Sequence, residues 1–325
     1  MAPRPDELDR ALIHALHVDG RAPFRRIGEV LGVSDQTAAR RYARLRRDHG
    51  LRVVGLTTPH RTGEVQWMVR IRALPEAAAD IAAALARRAD TSWICLCAGG
   101  TEIVCTVYGD GVQPLLLDAL PRTRHLLDVR ADRVLHVFYG GVGEPYSKRG
   151  PLSAAQVDQL ARHLPAVDPT LPSRIDGVDR ALLDLLRLDG RTSTERLAAA
   201  AGTSTVTARR RLAELRTAGV LHLDVDVEME VLDLPVQTLL WLTVGPRHLL
   251  AAGAALAGHP EVAFAAATTG SSNLFAAVPM PDVEATFRYL TTTVPSVAGI
   301  EAVSSVPVLR TVKAATTVLR PHRMS

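Results

Sequence analysis

The feature that most constrains this chain is an internal repeat. Residues 8–47 laid against residues 178–217, without a gap and at an offset of 170, share 18 identities in 40 positions. Among them are Asp9/Asp179, Arg10/Arg180, Asp19-Gly20-Arg21/Asp189-Gly190-Arg191, Gly32/Gly202, Ser34/Ser204 and Arg40-Arg41/Arg210-Arg211. A second stretch repeats at an offset of 171, which brings Gly99 onto Gly270 and Ala83-Ala84-Leu85-Ala86 onto Ala254-Ala255-Leu256-Ala257. That period is far longer than the roughly 20–50 residues of a solenoid unit. The chain therefore reads as two tandem copies of a domain pair, and its 325 residues, 47% of them hydrophobic, suffice for several buried cores.

The first repeated stretch is helical. Leu8, Leu12, Ala15 and Leu16 share one helix face, and Asp19-Gly20-Arg21 breaks it. Phe24, Ile27 and Leu31 predict a second short helix, and Gly32-Val33 a tight turn before Ser34, whose hydroxyl can cap a third helix. In that helix Ala38, Tyr42 and Leu45 form the inward stripe, and Gly50 stops it. Three short helices with a glycine turn between the second and third make a helix-turn-helix unit, and strand-like Leu51 to Thr57 would be its wing. The second copy repeats the pattern with Leu182, Leu185 and Leu186, then Ala208, Leu212 and Leu215. Its wing alternates Leu221, Leu223, Val225 and Val227 with His222, Asp224, Asp226 and Glu228, which predicts an acidic outer face.

Each helical unit is followed by a segment of order βαββαβ. The first runs through Val65–Ala73, Glu76–Arg88, Ser92–Ala98, Ile103–Tyr108, Val112–Leu120 and Val134–Phe138; the second runs from Thr238 to Val318. Such a segment makes an antiparallel sheet with both helices on one face, so the other face calls for a partner. The expected fold class is α+β, with two winged helix-turn-helix domains alternating with two ferredoxin-like βαββαβ (α/β sandwich) domains. The expected boundaries are 1–58 and 174–230 for the helical domains and 59–142 and 231–325 for the sheet domains. Residues 143–173, rich in proline (Pro145, Pro151, Pro165, Pro169, Pro172), form a linker with one helix opening at Ser153-Ala154-Ala155-Gln156.

Charge is distributed unevenly. Of 38 basic residues 36 are arginine, and residues 34–49 carry five of them against Asp35 and Asp48, while residues 204–218 carry four against Glu214. Residues 1–60 have a net charge of +4 and residues 174–230 a net charge of −1, which predicts that the first unit binds a polyanion more strongly. Three cysteines, Cys95, Cys97 and Cys105, lie in strand-like surroundings without metal-ligand spacing and read as buried, reduced residues. No apolar run of membrane-spanning length and no signal-like N-terminus occurs, so a cytoplasmic protein without membrane, metal or cofactor is expected. There is no nucleophile elbow and no phosphate-binding glycine loop, and the expectation is a protein that is not an enzyme.

A helix-turn-helix opening on LDRALIHALHVDGR and followed at once by βαββαβ resembles the Lrp/AsnC family of bacterial transcriptional regulators. The residues that carry the resemblance are the Leu-Asp-Arg-x-Leu start at Leu8–Leu12, the Asp-Gly-Arg after the first helix, the Ser-x-x-Thr-x-x-Arg-Arg helix and the glycine turn between the second and third strands. The resemblance implies double-stranded DNA as partner, pairing through the sheet domains into dimers or larger homo-oligomers, and a small effector, often an amino acid, bound near a Thr-Gly-x-x-Asp turn. The matching turns here are Ala98-Gly99-Gly100-Thr101-Glu102 and Thr269-Gly270-Ser271-Ser272-Asn273, both departing from the motif. Glu102 keeps a carboxylate that could hold an ammonium group, and Asn273 has lost it.

With helix-turn-helix geometry, residues at the start of the third helix reach base edges and those farther along grip phosphate. Behind the caps Ser34 and Ser204, the expected base readers are Asp35, Gln36, Thr37 and Arg40, with Thr205, Thr207 and Arg209 in the second copy. The expected phosphate contacts are Arg41, Arg44, Arg47, Arg210, Arg211 and Arg216, of which Arg41 and Arg211 could instead brace the fold through Asp9 or Asp179. The main expectation is a sequence-specific regulator, with a chromatin-architectural protein lacking an effector as one alternative. Siroheme decarboxylases also resemble this family in both domains, but His125, His136, His248 and His259, which such chemistry could use, do not fall at matching positions in the two copies.

Overall fold

The structure, a computed structural model, describes residues 4–109, 114–141, 148, 150–168, 170–172 and 174–319. Val112, at the start of one expected helix, and Pro145 and Pro169 of the linker lie outside the described residues. In chain order the first copy forms α1 (Glu7–Val18), α2 (Phe24–Leu31), α3 (Asp35–Asp48), β1 (Arg52–Thr57), the single turn α4 (Pro59–Thr62), β2 (Gln66–Ala73), α5 (Pro75–Ala86), β3 (Thr91–Cys97), β4 (Glu102–Tyr108) and β5 (Leu126–Tyr139). The linker contributes α6 (Ala154–Ala161). The second copy forms α7 (Gly177–Leu188), α8 (Thr194–Ala200), α9 (Thr205–Thr217), β6 (Leu221–Asp226), β7 (Val236–Val244), α10 (Leu249–Gly258), β8 (Phe264–Thr268), β9 (Leu274–Met280), α11 (Val283–Arg288) and β10 (Ile300–Lys313).

Contacts sort the chain into two units that cut across the repeat. One gathers Met1–Thr62, Val142–Val231 and Ala315–Thr317; the other gathers Gly63–Gly141, Leu232–Ala314 and Val318–Ser325. Both helical domains therefore belong to one unit and both sheet domains to the other, so the copies pair with each other inside a single chain.

In the helical unit each first helix is opened by a reciprocal cap. The Asp6 carboxylate accepts from the Asp9 N–H while the Asp9 carboxylate accepts from the Asp6 N–H, and Asp176 and Asp179 repeat this. The strands after α3 and α9 do not make two separate wings. β1 and β6 pair antiparallel with each other, from Arg52 opposite Asp226 to Thr57 opposite Leu221. α7 packs on β1 and α1 on β6, so each copy's first helix covers the other copy's strand. This close approach explains the repeated glycine of Asp-Gly-Arg: a Cβ at Gly20 would lie 2.7 Å from Val53 Cγ1, and one at Gly190 would lie 2.9 Å from the same atom. The neighbouring arginines lock the pair, since Arg21 donates to the Gly190 carbonyl at 2.6 Å and Arg191 to the Gly20 carbonyl at 2.7 Å. Arg46–Asp189 at 3.2 Å and Arg216–Asp19 at 3.8 Å repeat the same relation. The linker helix, capped by Ser153 and Gln156 as its sequence predicts, docks on α1 and α2, where Gln156 donates to the Val30 carbonyl.

The expected acidic outer face of β6 is not an outer face. Asp226 is buried, and its carboxylate accepts from the N–H groups of Ala315, Thr316 and Thr317 at 2.9–3.0 Å, tying that late segment into this unit. Alternation alone cannot show that a strand's second face is covered by residues from the far end of the chain.

In the sheet unit, strand order within each copy is β5-β2-β4-β3 and β10-β7-β9-β8, the fourth-first-third-second order of the ferredoxin-like arrangement. The two sheets join into one closed barrel because β5 and β10 serve both. β5 pairs with β2 through Leu126–Arg133 and then with β8 from Val134 to Tyr139. β10 pairs with β7 from Ile300 to Pro307 and then with β3 from Val308 to Lys313. β5 is longer than the expected Val134–Phe138, and β10 starts before the expected Val306 and ends at Lys313 rather than Val318; the early starts were hidden because LLDVRADR and EAVSS contain exposed polar residues that do not read as core. Each sheet packs its helices on one face; between the sheets lies a further core of Met68, Cys95, Cys97, Val104, Leu239, Trp241, Phe275 and Val306. All three cysteines are free and buried, as expected, and burial pushes the Cys95 thiol up to about 11 and Cys105 up to about 12.

The helical unit holds titratable groups whose burial sets a pH dependence. Burial holds His17 neutral, with a pKa of about 3, and His222, with one of about 4, whereas burial and the neighbouring Asp226 charge push Asp224 up to about 7. Unfolded histidines take up protons below about pH 6.5. Their contribution is therefore present above that pH and lost as pH falls. Asp224 acts in the opposite sense, costing stability as pH rises from about 4 to about 7. Burial also lowers the pKa of His14 and raises that of Asp226, so three histidines against two aspartates give a stability that rises from about pH 5 to 6.5. Asp224→Asn should steepen that rise, and urea midpoints across this range test it.

Arg211 and Arg41 lead to a second prediction. The Asp179 carboxylate is fully buried and its ion-pair partner is Arg211, whereas the equally buried Asp9 is shared by Arg41 and Arg44. Arg211→Ala should cost about 3 kcal/mol by stranding a buried charge. Arg41→Ala should cost clearly less, because Arg44 remains, and urea unfolding of the two variants checks the order.

Candidate nucleic-acid interface

The third helices α3 and α9 begin identically. Ser34 Oγ accepts from the Thr37 N–H at 3.1 Å and lies 2.9 Å from Thr37 Oγ1; Ser204 and Thr207 show the same two distances. These hydroxyls are engaged in capping, which fixes the direction in which the first turn presents its neighbours. Ala38, Tyr42 and Leu45 bury the inner face of α3; Ala208, Leu212 and Leu215 do so for α9.

The outer face of α3 is the stripe Gln36, Arg40, Ala43 and Arg47, all exposed and spaced by four, three and four residues. Arg40 has no ion-pair partner among the described residues, and Asp35 turns its carboxylate to the Gln36 N–H at 2.8 Å. Arg47 contacts Asp48 at 2.7 Å, yet its side chain is 71% exposed, so the pair is easily exchanged for another anion.

Several arginines with the right spacing are already committed within the unit. Arg41 bonds Asp6 and Asp9, and Arg44 bonds Asp9. In α9, Arg211 bonds Asp176, Asp179 and Glu214, and Arg216 faces Asp19. Bracing was foreseeable for Arg41 and Arg211 from the repeated aspartates. The partners of Arg44 and Arg216 were not, because one depends on a shared buried carboxylate and the other on the second copy. Arg46, absent from the expected set, pairs with Asp189.

The equivalent outer face of α9 differs. It presents Val206 in place of Gln36, Arg209 in place of Ala39, and Arg210, which is bound to Glu214 at 2.6 Å. Thr205 is exposed beside them, and Thr217 replaces Arg47. Retained capping thus presents two chemically different surfaces.

The two turns expected to hold an effector lie in the sheet unit and are largely satisfied internally. Ala98, Gly99 and Gly100 have left-handed backbones, with φ values of 50°, 68° and 89°, and Thr101 Oγ1 donates to the Ala98 carbonyl. Glu102 is buried and held by Arg70 through two bonds of 3.0 and 3.1 Å, while the Arg70 guanidinium stacks over Trp241 at 4.0 Å. In the second turn the Asn273 amide bonds both the N–H and the carbonyl of Val244, and Thr268 Oγ1 donates to the Ser272 carbonyl. Thr269 accepts from the Arg133 N–H, the Ser271 carbonyl accepts from Thr243, and Gly270 lies against Asp132, whose carboxyl burial raises. Neither turn presents an unpaired carboxylate to an ammonium group. His136 stacks edge-on to Phe138, His259 bonds Tyr289 at 3.0 Å and His248 bonds Arg247, so each of these histidines has a different neighbour. Among the described residues no group of three His, Cys, Asp or Glu could hold a metal ion, and no helix is long and apolar enough to cross a membrane.

In comparisons of the whole chain with solved structures, the fold is similar to that of the siroheme decarboxylase NirDL, with a TM-score of 0.59, 12% identity, and coverage of 95% of this chain and 93% of that one. The same enzyme with an iron-uroporphyrin III analogue matches at 0.59 and 14% over the same shares. The AsnC protein of E. coli matches 46% of this chain and 97% of its own at 25% identity and a TM-score of 0.39. A Neisseria meningitidis regulator in complex with L-Met matches 46% and 100% at 23% identity and 0.40. No curated protein matches the chain. The AsnC-type helix-turn-helix domain matches twice, at residues 6–46 and 175–216, and the Lrp/AsnC ligand binding domain matches at residues 237–318. Family matches thus cover more than half of the sequence, and the chain belongs to the Lrp/AsnC family.

Proposed function

We propose that this protein is a sequence-specific DNA-binding transcriptional regulator in which one chain supplies both reading helices. The observation that carries this reading is the exposed stripe Gln36, Arg40, Ala43 and Arg47 on a capped helix whose other arginines are committed to bracing it. Gln36 and Arg40 can each read a base edge bidentately, and Arg47 supplies a phosphate contact about two turns beyond Arg40. α9 adds a second, weaker reader, since Glu214 neutralises Arg210 and Arg211. Two such helices address successive major grooves about 34 Å apart. The operator is then asymmetric, because the readers differ at Gln36/Val206, Arg44/Glu214 and Arg47/Thr217.

The division into helical reading domains and sheet domains is part of the same proposal. So is modulation by a small effector such as an amino acid, with Gly99–Glu102 and Thr269–Asn273 as the turns nearest the family's site. For an amino acid to be held at the first turn, its ammonium group would have to compete with Arg70 for Glu102. A chromatin-architectural role without any effector is the alternative within the same class. It predicts that candidate amino acids change neither DNA affinity nor assembly.

A second reading is favoured by one observation, the whole-chain likeness in fold to a siroheme decarboxylase. We propose against it because His136, His248 and His259 are each engaged by a different neighbour and because it leaves the exposed stripe on α3 without a purpose. Titration with an iron tetrapyrrole tests this: no shift in its absorption band is expected, and a saturable shift would favour the enzyme.

The DNA reading is tested by binding-site mapping followed by variants. Arg40→Ala should weaken specific binding more than non-specific binding, by about tenfold. Arg47→Ala should lower both alike and reduce the salt slope by about one. Unchanged footprints for both variants would overturn the assignment.

A further inference from the structure

The face of α9 carries a feature that duplication alone does not explain. Val206 is 73% exposed on the first turn, at the position that Gln36 occupies in α3. The caps on either side are superposable in their hydrogen bonds, so the valine projects from the same place as the glutamine. A β-branched apolar side chain gains little from this position in the free protein, because it stays mostly exposed and is a poorer helix former than the glutamine. It also cannot hydrogen-bond a base. What an aliphatic side chain at a base-reading position can recognise in the major groove is the 5-methyl group of thymine.

The neighbours fit that task. Thr205 and Arg209 are exposed beside Val206, and Arg209 stands where α3 has Ala39. Arg210, the counterpart of Arg40, is drawn toward Glu214. Arg209 is thus the cation placed to accompany the valine, one turn from it along the helix.

We propose that α9 reads its half of the operator through a thymine methyl contact made by Val206, with Arg209 anchoring the adjacent base or phosphate, while α3 reads a polar base edge. This inference rests on the DNA-binding reading given above. It assigns the two half-sites different chemistry: hydrogen-bonded recognition at one, methyl recognition at the other.

The test uses the full chain and its mapped DNA fragment. Each thymine is replaced singly by deoxyuridine, which removes only the methyl group. One replacement should weaken binding about fourfold, the effect of withholding one methyl group from burial. That sensitivity should vanish in Val206→Ser, whose exposed position leaves folding intact, and should persist in Arg40→Ala. If no replacement matters while Arg40→Ala still lowers specific binding, the methyl contact is wrong and the regulator reading stands. If a sensitive thymine remains equally sensitive in Val206→Ser, the assignment to Val206 is overturned. Failure of the chain to prefer any fragment overturns both.

Discussion

The structure depends on backbone edges that one copy cannot satisfy by itself. β1 has no strand partner in its own copy, and β3 and β8 each have one open side within their own sheets. In each case the missing partner comes from the other copy: β6 for β1, β10 for β3 and β5 for β8. An unpaired strand edge invites association with other chains. Closure within the chain removes that invitation, and it meets inside one polypeptide the homotypic pairing that the sequence leads one to expect.

Packing follows from this pairing. Once β1 lies on β6, the first helix of each copy packs on the other copy's strand, and only glycine fits at positions 20 and 190. The reciprocal bonds of Arg21 and Arg191 then satisfy carbonyls exposed by the same crossing. A set of arginines that looks like a DNA-binding surface is thus divided in two. Arg41, Arg44, Arg46, Arg211 and Arg216 maintain the unit, and Arg40, Arg47 and Arg209 face outward.

How much of this was legible in the sequence depended on distance along the chain. Capping serines, the Asp-Gly-Arg break and the inward stripe of α3 act within a few residues, and each produces the element its pattern predicts. The starts of β5 and β10 were hidden because an extended strand shared between two sheets can expose polar residues along much of its length. The burial of Asp226 was hidden because its partners come about 90 residues later. At the candidate site, Ser34 and Ser204 were visible as caps, whereas the commitment of Arg216 to Asp19 needed the fold. Glu102 read as a free carboxylate for the same reason, since Arg70 reaches it from a neighbouring strand and is itself stacked on Trp241 of the other sheet.

The joining of both copies in one polypeptide also changes how binding scales with abundance. Two separate subunits must meet before they can grip two grooves, so occupancy of their site falls roughly with the square of concentration once they dissociate. Here the β1–β6 ribbon is made intramolecularly, and the pair of helices is complete at any dilution. Under the two-helix reading proposed above, forming that pair would add no concentration dependence of its own to DNA binding.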